Sequence, residues 1–331
     1  MNSTKDHGTS TLTMYAADLI KEVCHYWGLT FLRICPEIDI AGSPERCDFR
    51  VVIEDNRHRL FILENISSKV VGHKRRIIKT LDYLHSKKLH GIRPYVPVSD
   101  EESIANHQDD TYWQLVPYIE GIPLDRPEYI FDRWRGNVLA EFLINLRKKS
   151  EDIPYFDKSH VFSIKDYVYD MRTKLDRHEP TLYKKVQPII GFLEDKFMSV
   201  HDELPACFCH GDYHPLNVIW SESGINAVID WEFLGFKPEA YDAANLIGCL
   251  GIENPQGLLG DFVYDLIQRL KKDGLFKDIS WQFFLEFMVA LRFGWLSEWL
   301  RKSDTEMIEL EFVYLNLLIN NRETLQNSWK I

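Results

Sequence analysis

The run His210-Gly211-Asp212-Tyr213-His214-Pro215-Leu216-Asn217, followed by Val228-Ile229-Asp230-Trp231, constrains this chain more than any other stretch. An aspartate is followed five residues on by an asparagine, and thirteen residues beyond that by a second aspartate. His210 and Gly211 shape the loop: the histidine can bond backbone groups or the second aspartate, and the glycine permits a dihedral closed to other residues. His214 either caps a turn or approaches the reacting groups.

These residue types serve one chemistry well. Phosphoryl transfer needs a carboxylate to accept the proton of an attacking hydroxyl, and an amide oxygen with a second carboxylate to hold magnesium against the phosphates. Asp212 is the candidate base or hydroxyl-orienting group, and Asn217 and Asp230 are the candidate magnesium ligands. The spacing is that of H-R-D-x-x-x-x-N followed by a metal-binding aspartate. Between His201 and Gly260 there are nine acidic residues against one lysine and no arginine, so buried carboxylates there call for a cation. The plainer alternative is a loop whose Asp and Asn merely cap helices and turns.

The rest of the composition narrows the class. At 331 residues the chain suggests two domains or lobes. A net charge of −11 argues against a general affinity for nucleic acid or for anionic membrane, and no apolar run approaches the ~20 residues of a membrane span. Met1 to Ser10 is polar and lacks the apolar stretch of a signal peptide. Six scattered cysteines show no disulfide rhythm, and with these features they point to the cytoplasm. Cys207-Phe208-Cys209 beside His210 and His214 invites a zinc reading, but no second Cys/His cluster supplies further ligands; a buried strand entering a loop explains it better.

Apolar spacing predicts a helix over 12–29, ending at Gly28, then strands at Leu29–Ile34, Phe49–Ile53 and Leu60–Leu63, the last two joined by the polar turn Glu54–His58. A basic helix follows with Val70, Ile77, Leu81 and Leu84 on one stripe, and one more strand lies at Tyr112–Tyr118. From Asp132 onward the pattern is helical except for 206–235, and it closes with helices at Trp281–Leu300 and Met307–Leu325. The reading is α+β: a small sheet-containing lobe over 1–117 and a larger helical lobe over 118–331.

His210-Gly211-Asp212 through Asn217, Ile229-Asp230-Trp231 and Tyr241-Asp242-Ala243-Ala244 together resemble the aminoglycoside phosphotransferase and choline kinase-like superfamily. The motifs match closely over 206–246; elsewhere the match is one of organisation. The resemblance implies a bilobal protein-kinase-like fold with a small antiparallel N-terminal sheet, and transfer of phosphate from ATP or GTP, with Mg2+, to a small-molecule alcohol. It makes Asp212 catalytic and Asn217 and Asp230 metal-binding. It also makes Asp242 a brace for the catalytic loop, although an ordinary helix N-terminal carboxylate would look the same. Net charge and the lack of a recognised binding module speak against a nucleic-acid partner, the lack of a long apolar run against a membrane, and the oligomeric state is left open.

By the same resemblance Gln114, Val116 and Tyr118 belong to the linker that meets the nucleobase, the alternative being a plain edge strand ended by Pro117. Ser43, in Ala41–Arg46, sits where a phosphate-covering loop belongs, although a hairpin turn would read alike. One departure stands out. Where a kinase strand ends in a lysine for the phosphates, this chain has Phe61-Ile62-Leu63-Glu64. The next helix carries Lys69, Lys74, Arg75, Arg76 and Lys79, so a reversed pair is expected, with Glu64 anchoring Lys74, Arg75 or another basic residue of that helix, which would face the phosphates; a solvated basic face is the alternative. The departure also keeps a catalytically degraded scaffold in view.

For the acceptor, Trp231, Glu232, Trp295 and Trp299 are candidates by position. Trp295 and Trp299 are four apart and share a helix face, and aromatic faces near carboxylates suit a cationic acceptor. Filling a core is the competing explanation. Amino alcohols, choline-like compounds, aminoglycosides and sugars all remain open.

Overall fold

The computed structural model describes residues 17–42 and 47–331, so the expected Ser43 contact and the start of the first helix lie outside the described residues. The chain forms two compact units. The first runs to Ile122 and takes in Asn226–Asp230; the second comprises Pro123–Ile225 and Trp231–Ile331.

The first unit holds α1 (Ala17–Cys24), β1 (Phe31–Ile34), β2 (Phe49–Asp55), β3 (Leu60–Ile66), α2 (Val71–Ser86), β4 (Ile104–His107) and β5 (Thr111–Pro117). Its strands make one antiparallel five-stranded sheet in the order β1-β2-β3-β5-β4. Period-2 alternation fixes both faces. Val51, Leu63 and Leu115 are register partners, and with Ile53, Phe61 and Trp113 they pack under Ile20, Val23 and Cys24 of α1. On the other face Ile66 and Ile104 pack with Val71 and Ile78 of α2. Burial of Ile77, Ile78, Leu81 and Leu84 stabilises α2 by about 1.5–3 kcal/mol per side chain, more than the β-branched isoleucines cost a helix. The turn between β2 and β3 is held by Asp55, whose Oδ1 accepts from Arg57 N at 3.0 Å and Arg59 N at 2.9 Å.

The second unit is mainly helical: α3 (Arg133–Lys149), α4 (Ile164–His178), α5 (Pro180–Glu194) and α6 (Phe197–Val200) come first, then short strands β6 (Ala206–Cys209) and β7 (Val218–Trp220). β8 (Ile225–Val228) falls, but for Ile225, in the stretch that belongs to the first unit; after it the second unit continues with β9 (Gly235–Pro238), α7 (Tyr241–Glu253), α8 (Asp261–Lys272), α9 (Asp278–Gln282), α10 (Phe284–Lys302), α11 (Thr305–Asn320) and α12 (Arg322–Trp329). Helix α3 packs on α8 so closely that a Cβ at Gly136 would lie 2.2 Å from Phe262 O. β6 pairs antiparallel with β9, Cys209 opposite Gly235, and this ribbon anchors the start of the motif loop.

The α+β architecture is the expected one; the boundaries differ locally. The two closing helices are each broken, at Phe283 (ψ 19°) and at Asn321 (ψ 17°), where the backbone leaves the helical well without any Gly or Pro to announce it. β4 was not expected, because Ile104-Ala105-Asn106-His107 shows only half an alternation and is an edge strand paired to β5 alone. Among the described residues, no helix is long and apolar enough to cross a membrane.

Candidate active site

The motif loop leaves β6 at Cys209 and turns at once. Gly211 has φ 88°, and a Cβ there would come 2.1 Å from Phe233 O, so only glycine fits. Asp242, in the first turn of α7, ties the turn down: His210 N donates to its Oδ2 and Gly211 N to its Oδ1, both at 2.8 Å. Two opposing effects act on this carboxyl, which is 4% exposed. Burial raises its pKa and the two N–H bonds lower it; burial is the larger, and the carboxyl is pushed up to about 6. The turn is completed by Asp212 N, which donates to His210 Nδ1 at 3.1 Å, while the His210 ring lies 4.4 Å from that of Trp231.

Beyond the turn, Asp212 and Asn217 meet. Asn217 Nδ2 donates to Asp212 O at 2.9 Å and stands 3.2 Å from Asp212 Oδ2, closing the intervening residues into a compact loop. That orientation spends the amide nitrogen on Asp212 and leaves Oδ1 as the group for a cation. His214 joins them: its Nε2 is 3.1 Å from Asn217 Nδ2 and 3.6 Å from Asp212 Oδ1. Trp220 Nε1 bonds Pro215 O at 3.0 Å and fixes the far limb.

The acceptor candidates divide. Trp231 is 4% exposed, with its ring on His210 and Phe142, so it is packing beneath the loop and offers no face to a ligand. Sequence position beside Asp230 could not reveal that. Glu232 is half-buried in the turn that follows. Trp295 and Trp299 are half-buried and stacked at 5.8 Å on α10, and Trp295 meets His214 edge-on at 6.0 Å. Their positions come from residues the sequence did not single out. Asn245 Oδ1 accepts from Trp295 Nε1 at 3.3 Å; Glu311 Oε2 accepts from Trp299 Nε1 at 3.3 Å. Glu311 is itself paired with Arg292 through two 2.6 Å bonds, both residues being fully buried.

In the first unit, Arg50, Glu64 and Gln114 stand side by side across three strands, and Val52, Ile62 and Val116 form the next row. Arg50 Nη2 donates to Gly42 O at 2.8 Å and so holds the segment before Ser43. Gln114 Nε2 donates to Glu64. Lys74 of α2 is 4% exposed, whereas Arg75 turns outward to Glu102 at 2.8 Å. The expected reversed pair through Arg75 is therefore corrected: Arg75 and Lys74 are consecutive on a helix and cannot face the same way. Tyr118 N bonds Leu60 O at 2.9 Å, which commits that N–H to the sheet edge. Asp230 sits at φ 63°, an uncommon conformation for a non-glycine residue and one that recurs at functional positions. Its segment is held by Val228 N, which donates to Gly91 O at 2.8 Å. Arg93, two residues beyond, was missed by sequence reasoning because a lone arginine before a proline carries no signal.

Cys207 and Cys209 lie with their Sγ atoms 3.6 Å apart, and burial pushes the Cys209 thiol well up. Among the described residues, no group of three or more His, Cys, Asp or Glu side chains could hold a metal. That is compatible with magnesium, which is held by one or two carboxylates together with substrate phosphates.

Residues 45–272 match the profile of the phosphotransferase enzyme family. No curated protein matches the chain. Among solved structures, the GDP complex of aminoglycoside 2′-phosphotransferase-IIIa is similar at 16% identity, covering 97% of this chain and 100% of that one, with a TM-score of 0.64. The amicoumacin kinase hAmiN in complex with AMP-PNP, Ca2+ and amicoumacin shares 12% identity over 93% and 95% of the chains, TM-score 0.63. An aminoglycoside phosphotransferase from Alicyclobacillus acidocaldarius shares 14% over 89% and 92%, TM-score 0.58. At these identities the likeness establishes the protein-kinase-like fold.

Proposed function

The chain belongs to the phosphotransferase enzyme family, and from that premise we propose that it is a small-molecule kinase moving the γ-phosphate of ATP or GTP to a hydroxyl group, with Asp212 as the base. The observation that carries the reading is the Asp212–Asn217 contact held in a loop braced by Asp242. It gives a carboxylate a fixed position and leaves an amide oxygen free beside it.

In the reaction, the acceptor hydroxyl oxygen attacks the γ-phosphorus while its proton passes to an Asp212 carboxylate oxygen. The bond from the γ-phosphorus to the bridging oxygen breaks, and the nucleoside diphosphate leaves with that oxygen's electron pair. The transition state is loose, so positioning and charge neutralisation supply most of the rate. Asn217 and Asp230 would hold magnesium, which when bound neutralises the phosphate charge.

The apolar row Val52-Ile62-Val116 is the surface proposed for the nucleobase, next to the polar row Arg50-Glu64-Gln114. With the N–H of Tyr118 committed to Leu60, the carbonyl of Pro117 and the groups of Ile119 are the backbone contacts left for the base. Trp295 and Trp299, with Glu232, are proposed for the acceptor, and their aromatic faces favour an amine or a sugar. The solved relatives bear on this: one is a complex with GDP, and another with AMP-PNP and amicoumacin.

The test is transfer of label from γ-labelled Mg-ATP and Mg-GTP to a panel of amino alcohols, choline-like compounds, aminoglycosides and sugars. Label on one acceptor class supports the reading and names the substrate. Nucleotide binding with no transfer to any class would favour a binding protein over an enzyme of this panel.

A further inference from the structure

Arg93 lies between α2 and β4, in the segment that runs alongside β5, where Val96 N donates to Leu115 O at 2.8 Å. It is 7% exposed, and neither its Nε nor its Nη2 has a hydrogen-bond partner among the described residues. Its titrating neighbours are Tyr95, Glu64 and Tyr118. No hydrogen bond joins it to Glu64, whose Oε2 accepts from Gln114 Nε2; Gln114 Oε1 is also buried without a partner among the described residues. Two residues before Arg93, the carbonyl of Gly91 holds Val228 N, so the same segment supports the strand that delivers Asp230. On the other side of that strand, a Cβ at Gly42 would lie 3.5 Å from Ile229 Cδ1, which brings the loop clasped by Arg50 to the same place.

A buried guanidinium without partners is costly, and proteins rarely keep one. Burial pulls the Arg93 pKa down to about 10, which still leaves it a full cation at neutral pH. A structural role would give it a carboxylate or a set of carbonyls. Among the described residues Arg93 Nε and Nη2 bond neither, so these two donors are available to a ligand, and an Arg fork fits phosphate oxygens in particular.

We propose that Arg93 is the cation that binds the nucleotide phosphates in this protein, in place of the strand lysine whose position Glu64 occupies. This rests on the kinase reading above and deepens it. Glu64, held by Gln114, then serves as the local counter-charge that keeps the guanidinium in place between turnovers. The ligand class is a nucleoside di- or triphosphate.

The test uses the full chain and its Arg93→Met and Arg93→Lys variants. Affinities are measured for Mg-ATP, Mg-GTP, adenosine and guanosine, together with thermal stability in the absence of ligand. The expected result is a selective loss of roughly 10- to 100-fold for the triphosphates in Arg93→Met, with nucleoside affinity unchanged and partial recovery in Arg93→Lys. The ligand-free Arg93→Met protein should melt no lower than wild type, because an unpaired buried charge has been replaced by an apolar chain of similar length. Equal loss for nucleosides and triphosphates, or no loss at all, overturns the assignment, as does a lower melting temperature without selective loss. If wild type binds no Mg-nucleotide, the kinase reading fails first and the role of Arg93 falls with it.

Discussion

Asp242 accepts the backbone N–H groups of His210 and Gly211, one on each carboxylate oxygen at 2.8 Å, and through them sets the position of Asp212. One side chain at the start of a helix thereby fixes the motif loop about thirty residues earlier in the chain. The arrangement costs stability, because burial outweighs both hydrogen bonds.

That cost has a pH signature. An unfolded aspartate titrates near ~3.9, whereas the folded Asp242 titrates at about 6. Between these values the folded protein holds the proton and the unfolded chain does not, so the contribution of this group to stability falls as pH rises through the window and is level above it. The stability difference between wild type and Asp242→Asn should therefore shift by up to roughly 3 kcal/mol between pH 4 and 6.5. Urea unfolding of both proteins across that range checks it; a difference independent of pH would show that burial does not govern this carboxyl.

Gly211→Ala should be damaging for a local reason. The backbone there has φ 88°, and the new methyl would meet Phe233 O at 2.1 Å. A loss well above 1 kcal/mol is expected, with displacement of Asp212 and a fall in turnover. Denaturant midpoints together with rate measurements decide it, and near-native values for both would contradict the strained turn.

The motif loop was legible because its chemistry is local: Asp212 and Asn217 are five apart and meet through one amide. The sheet was legible from alternation in β2, β3 and β5. What the sequence hid is long-range. Arg93 comes into the neighbourhood of Glu64 only once the sheet has formed, and Glu311 reaches Arg292 and Trp299 only when α10 and α11 pack. Trp231 was a candidate by position, and an aromatic next to an aspartate carries no sign in the sequence of whether it faces ligand or core; in the structure it is 4% exposed. The helix break at Phe283 was invisible because phenylalanine does not stop helices, whereas Asn320-Asn321 carried a weak stop signal that the apolar periodicity around it masked.

The Arg292–Glu311 pair gives a third prediction. Both side chains are fully buried and joined by two 2.6 Å bonds. Removing one partner strands the other charge, so Glu311→Leu should cost about 3–5 kcal/mol, whereas Arg292→Met with Glu311→Leu should recover most of that. Chemical denaturation of the single and double variants is the measurement. A double variant as unstable as the single would mean that the charges themselves are not the cause.

Asp230 and Asp212 should separate by function. Asp230→Ala is expected to weaken Mg-dependent nucleotide binding by at least about tenfold while leaving metal-free binding unchanged. Titration with and without magnesium tells the two apart, and equal effects in both conditions would remove Asp230 from the metal site.

Asp212 is proposed to take the acceptor proton. The most direct test is single-turnover transfer from γ-labelled Mg-nucleotide to the best acceptor of the panel, in wild type and in Asp212→Asn. A rate lower by about 100- to 10,000-fold in the variant, with nucleotide affinity within about twofold of wild type, is the expected result. Transfer by Asp212→Asn at the wild-type rate would contradict the account.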